Sequence, residues 1–322
     1  MKNLLLRTAQ TKDLEAIYQL AKESGYGLTT LPKDRAILAE RIEQHAYYLF
    51  VLEDTSLNQV IGTSAIQTKA GCDAPFYAYK VSKRIKSVRG DKDKLLLLVN
   101  DQQDCTELCT LYLSPDYRID KWGSFLSRAR FLFLAEHPEQ FAKTVIAEMR
   151  GVANSKGESP FWNAVGQHFF HLSFVEADKL TLTSDKQFIA DHMPEFPIYV
   201  KLLPKAAQQA IGKAHKSTVP AMCLLEKEGF FYNHYIDIFD AGPMVESPLA
   251  HIHTVKFSET YTFKTTQKEI DSPVYMISNT SEDFKAMRGP ALLTPEGQCI
   301  LTAETAQGLQ LKSGDAVRIA LF

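Results

Sequence analysis

The stretch 114–124, SPDYRIDKWGS, follows the apolar run ELCTLYL and precedes the helical run FLSRARFLFLAEH. Strand, turn and helix N-terminus in that order make a place to hold a phosphate. The first N–H groups of a helix have no partner inside it, and the helix dipole favours an anion there. Such loops usually carry several glycines, and this one has only Gly123. On these residues alone it reads as a glycine-poor phosphate cradle or as a plain turn. A second candidate is His215 in AIGKAHKSTVPA, between a helical stretch and Pro220. That position is a helix end or the loop after it, and histidine titrates near enough to neutral pH to move a proton in either direction.

Other reactive residue types point to less. The five cysteines are odd in number and contain no CxxC, and Cys105 and Cys109 have no Cys/His pair at finger spacing. Reduced thiols are expected, and no zinc site. His168 and His171 flank Phe169-Phe170 and read as capping or packing residues. His251 and His253 alternate along an expected strand but lack a third ligand, so no metal site is expected.

These residues need elements to position them. NLLLRTA is a strand candidate, and TKDLEAIYQLAKES an amphipathic helix with Thr11 as N-cap, closed by Gly25 and Gly27. PKDRAILAERIEQHA forms a second helix with Pro32 near its first turn. YYLFVLED and QVIGTSAIQTK are paired strands. KLLLLVN, ELCTLYLSP and KTVIAEMRG are further strands, and a long helix spans about 120–137. The basic run within 80–94 reads as solvated surface. Two later passages, SPFWNAVGQHFFHLSF and VPAMCLLEKEGFFYNHYIDIF, share an outline of short helix, Phe-Phe and extended run. A second helix–strand unit over 177–240, a worn duplication, is one reading of them. From about 241 short strands dominate and helix signals nearly vanish, which predicts a C-terminal all-β subdomain over 241–322.

At 322 residues the chain exceeds one small core. With 45% hydrophobic and 23% charged residues it is a folded soluble type, and a net charge of −2 offers no cationic footprint for nucleic acid. The start, MKNLLLRTAQ, lacks a signal-peptide core, and no run reaches membrane-spanning length, so a cytoplasmic protein is expected.

The order strand, two helices, strands, strand–loop–helix, strand, helix–strand resembles that of GCN5-related acyltransferases, through CTLYLSPDYRIDKWGSFLSRARFLF. In that superfamily a strand ending in hydrophobic-x-P-x-x-R leads to a loop that offers backbone N–H groups to the pyrophosphate of coenzyme A. Inside the superfamily, seven phrases in order resemble arginine N-succinyltransferases: SGYGLTTLP, ELCTLYLSPDYR, AEMRG, SPFW with VGQHFF, FIADHMPEFPIY, AIGKAH with LLEKEGF, and YIDIFDAGP. The resemblance implies an α+β fold, an acyl-CoA N-acyltransferase (GNAT-like) mixed sheet flanked by helices over 1–240. It implies succinyl transfer from succinyl-CoA to the α-amine of L-arginine, the entry to a succinyl route of arginine catabolism. Succinyl-CoA would be a co-substrate, with no permanently bound cofactor. A homo- or hetero-oligomer is implied, since some enzymes of the family occur as paired similar subunits. An acyltransferase for ornithine or another amine, and a non-catalytic subunit, are the alternative readings. The family loop is close to P-x-x-R-x-x-G-x-G, and Lys121 stands at its first glycine. A lysine there opposes positive φ but adds a cation beside a phosphorylated ligand.

Aminolysis of a thioester needs a neutral amine, a stabilised oxyanion and a stabilised leaving thiolate. No covalent intermediate is required, so Cys105 and Cys109 need no catalytic role. The resemblance implies that the backbone at Leu111 meets the acyl-CoA, with its N–H on the thioester oxygen. It places the phosphates near Arg118, Lys121, Gly123 and Ser124, and matches His215 to the family's proposed proton donor. An arginine substrate asks for carboxylates: Glu107, Glu148, Asp237 and Asp240 are the candidates. Glu148 and Arg150 share a strand face and could satisfy each other, or Arg150 or Arg118 could receive the succinyl carboxylate.

Overall fold

The computed structural model describes residues 3–25, 28–72, 75–85, 92–177, 191–194 and 196–322. Sixteen strands among the described residues form one continuous sheet. In chain order they are β1 Leu4–Thr8, β2 Tyr47–Asp54, β3 Gln59–Gln67, β4 Ala78–Ile85, β5 Lys92–Val99, β6 Thr106–Leu113, β7 Thr144–Glu148, β8 Ile198–Tyr199, β9 Phe231–Ile236 and β10 Pro243–Pro248. The remaining strands are β11 Glu259–Thr266, β12 Val274–Asn279, β13 Lys285–Pro290, β14 Leu292–Leu293, β15 Gln298–Thr302 and β16 Ala316–Leu321. Across the sheet they run β14-β15-β11-β16-β12-β13-β1-β2-β3-β6-β7-β10-β9-β4-β5-β8. The last six strands of the chain therefore sit together on one side, joined to the rest through β13 and β1.

Helices flank the sheet: α1 Leu14–Glu23, α2 Arg35–Glu43, α3 Trp122–Glu136, α4 Pro160–Ala164, α5 Gly166–Phe170, α6 Lys205–Ala210, α7 Val219–Lys227, α8 His253–Phe257 and α9 Ala303–Gly308. The expected α+β order, strand, two helices, then strands and a strand–loop–helix, holds. β6 and β7 are parallel, so a crossover must join them, and α3 is that crossover. Its sequence WGSFLSRARFLFLAE is apolar nearly all round because it is covered on both sides. β3 and β6 lie against it from one direction, and α7, α8, β12 and β16 from the others.

Several local expectations give way to longer-range contacts. Thr11 does not cap α1. The chain makes a 3-10 turn at Thr11–Asp13 instead, where the Asp13 carboxylate accepts the Gln10 N–H at 2.8 Å and pairs with Arg7 at 2.6 Å. The cap of α2 is Asp34, which accepts the N–H groups of Ala36 and Ile37, and Pro32 lies outside the helix. The run AHIHTVKFSETYTFK, expected to be strand, starts instead with a 3-10 turn, Leu249–His251, and α8, and only its end is strand, so His251 and His253 do not alternate along a strand. The reason is Glu228, whose carboxylate accepts both the N–H and the hydroxyl of Thr254 and starts that helix. Residues 243–248 pair with β7 and β9 and so belong to the larger group of strands; the C-terminal strands begin at Glu259. The two Phe-Phe passages differ. Phe170 ends α5 before a left-handed His171, whereas Phe231 opens β9. Residues 178–190 of the suggested second unit, and 86–91 of the basic run, lie outside the described residues.

Candidate active site

β6 carries the first half of the site. Its run TELCTLYL is buried almost throughout, as a strand covered on both faces should be. The strand is not regular. Thr63 pairs with Tyr112 but Ala65 with Cys109, so Thr110 and Leu111 together oppose Ser64. Thr110 has φ +57°, which makes a β-bulge. A threonine in that conformation needs support. Its N–H donates to the Thr30 hydroxyl at 3.0 Å, its hydroxyl donates to the Thr30 carbonyl at 2.8 Å, and its carbonyl accepts from Thr63 at 2.9 Å. The Tyr47 hydroxyl shares a further hydrogen bond with it. Below the bulge lies Arg130, 2% exposed, donating to the carbonyls of Ser127, Ala65 and Cys109. Burial without a carboxylate beside it pushes this guanidinium down to about 10.

β6 and β7 pair only at Thr106–Val145 and Glu107–Ile146. Beyond those residues the two parallel strands part. Leu111 lies four residues past Glu107 on one arm, and Arg150 four residues past Ile146 on the other. The half-buried Leu111 side chain packs on the main core.

At the far end of β6, Pro115–Tyr117 form a 3-10 turn, anchored by the Tyr117 hydroxyl on Asp54 at 2.9 Å. Arg118 turns back on its own strand, with Nε donating to the Leu113 carbonyl at 2.9 Å. Asp120 and Lys121 follow at φ +49° and +60°, and Lys121 is the left-handed cap of α3. The lysine therefore adopts the conformation that a glycine would take there. Gly123 and Ser124 are in the first turn of α3, where backbone N–H groups lie outside the helical ladder. A side chain on Gly123 would touch only Leu113, at 3.8 Å, so the protein itself does not need a glycine there. Its bareness leaves the helix end open. Arg288 of β13 also reaches this loop, which no local sequence signal announces: its Nη1 donates to the Asp120 carbonyl at 2.5 Å and its guanidinium stacks 3.7 Å from the Trp122 ring.

On the opposite arm, His215 lies in the loop between α6 and α7, half-buried. Its N–H donates to the Arg150 carbonyl at 2.7 Å, and the Gly212 N–H donates to the Ala241 carbonyl at 2.9 Å. The ring nitrogen Nδ1 accepts the Ser217 N–H at 3.2 Å and lies 2.7 Å from the Ser217 hydroxyl. With Nδ1 accepting, the neutral ring carries its proton on Nε2. Burial lowers the His215 pKa below its ordinary value; the Arg150 cation adds to that, and Asp240 opposes it.

Asp240 clips this region together. One oxygen accepts the Gly151 N–H at 2.6 Å and the other the Gly242 N–H at 2.8 Å, next to the two carbonyls that hold the histidine loop. Asp237 closes its own turn, accepting the N–H groups of Phe239 and Asp240, both at 2.7 Å. Burial pushes both carboxyls up, Asp237 well above the usual carboxylate range, and the neighbouring Asp240 charge adds to it. Glu107 is buried at the root of the split, and Glu148 ends β7 opposite Met244. Glu107 thus lies at the root of the split and Leu111 along its β6 arm, Glu148 and Arg150 lie along the β7 arm with His215 bonded to it, and Arg118, Lys121, Gly123 and Ser124 lie in the loop and helix start after β6.

Cys109 is buried and burial drives its thiol up to about 11; Cys105 is also raised by burial. Neither is a thiolate at neutral pH. Among the described residues no three His, Cys, Asp or Glu side chains are grouped to hold a metal ion, and no helix is long and apolar enough to cross a membrane.

A family model described as the arginine N-succinyltransferase beta subunit matches residues 4–254, and one for its C-terminal domain matches 260–320. The arginine N-succinyltransferase of Photorhabdus laumondii is 40% identical over 99% of this chain and 98% of its own. That of Yersinia pestis is 38% identical over 98% and 96%. Among solved structures, the arginine/ornithine succinyltransferase subunit AI of Pseudomonas aeruginosa is 33% identical, with a TM-score of 0.89 over 100% of this chain and 99% of the other.

Proposed function

The chain belongs to the arginine N-succinyltransferase family, and on that premise we propose that it moves succinyl from succinyl-CoA to the α-amine of L-arginine by direct aminolysis. The observation that carries this reading is the β6–β7 split, with an open helix N-terminus at one end and His215 on its far arm. The pyrophosphate sits at the first turn of α3, on the N–H groups of Gly123 and Ser124, with Lys121 and Arg118 as nearby cations. Pantetheine enters between the strands and completes the pairing that β6 lacks. The N–H at Leu111 faces the thioester oxygen and stabilises the oxyanion as the amine adds to the carbonyl carbon. The C–S bond then breaks. His215 directs its Nε2–H at the departing sulfur as a hydrogen-bond donor, and the proton that the amine nitrogen sheds passes to that sulfur. The net result is an amide and a free thiol. Glu107 and Glu148 supply negative charge for a guanidinium, and Arg150 a cation for the succinyl carboxylate. Asp237 and Asp240 hold the scaffold beneath them.

The test mixes purified protein with succinyl-CoA and L-arginine and follows thiol release. Release that depends on arginine is expected; none above the arginine-free blank overturns the reading. The solved relative from P. aeruginosa is described as acting on arginine or ornithine and as a subunit. Ornithine as acceptor is therefore the second reading, and the same assay with ornithine in place of arginine decides between them. The word subunit in that description supports pairing of this chain with a further chain, and sedimentation of the purified protein with and without such a partner tests it.

A further inference from the structure

We propose that Arg288 is a positioning residue for acyl-CoA, holding the left-handed Asp120–Lys121 turn that aims the N-terminus of α3 into the split. The inference rests on the reading of that helix end as the pyrophosphate seat. Asp120 and Lys121 both have positive φ, at +49° and +60°. Aspartate tolerates this region because its short side chain can hydrogen-bond locally, but a lysine meets the full clash between Cβ and carbonyl. Lys121 is exposed, so packing of its own side chain does not enforce the conformation. The Asp120 carbonyl belongs to the peptide unit between the two left-handed residues, and its direction fixes that unit's plane. Arg288 Nη1 donates to this oxygen at 2.5 Å. The guanidinium is itself immobilised, 3.7 Å over the face of Trp122 and 5.0 Å from the ring of Phe322, on a strand held in register by Met276. Trp122 is the residue immediately after Lys121, so one side chain clamps the turn on both sides.

Without the clamp, Lys121 relaxes toward negative φ in part of the molecules, and the first N–H groups of α3 turn away from the ligand. The apparent dissociation constant for coenzyme A then rises by the inverse of the fraction still competent. A glycine at 121 removes the need for the clamp, because glycine adopts positive φ without the clash. The experiment is a double-mutant cycle read by calorimetry with coenzyme A. Arg288→Ala should weaken binding about five- to tenfold, while kcat at saturating succinyl-CoA stays within about twofold. Lys121→Gly alone removes a cation beside the phosphates and should weaken binding by up to about fivefold, and adding Arg288→Ala in that background should weaken it by less than about twofold more. A loss of the same size in both backgrounds overturns the proposal, since Arg288 would then touch the ligand or act on the whole fold. No loss in either background also overturns it. If Arg288→Ala does not fold, Arg288→Lys keeps the cation but loses the planar stack, and is read in the same cycle with the same outcomes. A wild-type chain that binds no coenzyme A refutes the phosphate-seat reading and the proposal with it; binding with additive losses refutes the proposal alone.

Discussion

His215 is oriented by peptide groups rather than by a carboxylate. The Ser217 N–H on Nδ1 selects the tautomer, and the Arg150 carbonyl sets the position of the residue. Burial and then the Arg150 charge disfavour the imidazolium, so the folded pKa lies below that of the unfolded chain. The sign follows: as pH falls below about 6.5 the unfolded state takes up the proton first, and this residue's contribution to stability declines there. Catalysis that uses the neutral ring keeps its acid limb below that same value. We expect kcat/KM to fall more steeply below about pH 6.5 than titration of the amine substrate alone dictates, and His215→Ala to lose roughly 100- to 10,000-fold in kcat with little change in coenzyme A affinity. An acid limb that persists unchanged in His215→Ala would assign it to another group. The sequence made this histidine visible through its loop position and its motif. Ser217, Thr30, Arg130 and Arg288 were not visible, because each acts through a contact that only chain folding creates.

The element that fixes the far arm of the split is the junction of β7 with the turn 237–242. A Cβ at Gly242 would lie 1.9 Å from the Met149 carbonyl, and one at Gly151 would lie 2.5 Å from the Asp240 carbonyl. These neighbours are backbone, so no rotamer change relieves the clash. Gly242→Ala should therefore cost at least about 2–3 kcal/mol, read as a shift of the urea midpoint, and reduce activity together with it. A variant as stable as its parent would show that the junction opens freely. At this scale the main strands were legible from their apolar runs, and α3 from its length and its place after the turn. Helix starts were less so: Asp13 displaced Thr11 through its tie to Arg7, and Glu228 built α8 where alternation suggested a strand. Propensity ranks of a few tenths of a kcal/mol do not compete with a buried carboxylate that needs donors.

Across the whole molecule the C-terminal strands share part of their core with the rest of the chain. One core cluster joins Leu4, Leu6 and Phe50 to Phe125 and Phe133 of α3 and to Met276, Phe284, Ala286 and Ala320. Arg128 of α3 pairs with buried Glu228 at 2.6 Å and donates to the Leu321 carbonyl at 3.2 Å, and Arg318 of β16 pairs with Glu136 at 2.7 Å. The regions matched by the two family models should therefore melt together. Calorimetry is expected to give one transition in which calorimetric and van't Hoff enthalpies agree. Two resolved transitions would show that the shared core contributes less than its burial implies.

By itself the sequence determined the α+β class, the strand–loop–helix at 106–136 and the family, and it singled out the histidine at 215 as a candidate. Each of these is written in local order: apolar period, turn residues, or a run of phrases in a fixed sequence. Only the tertiary structure decided what makes those parts a site. The β6–β7 split depends on where two distant strands stop pairing, and the bulge at Thr110 on a threonine and an arginine brought from elsewhere. The opening loop shows the difference. Lys121 in place of glycine reads locally as a defect, because local sterics are all that neighbouring residues convey. In the fold it occupies the glycine conformation, with the peptide before it held by a guanidinium 168 positions away from Asp120.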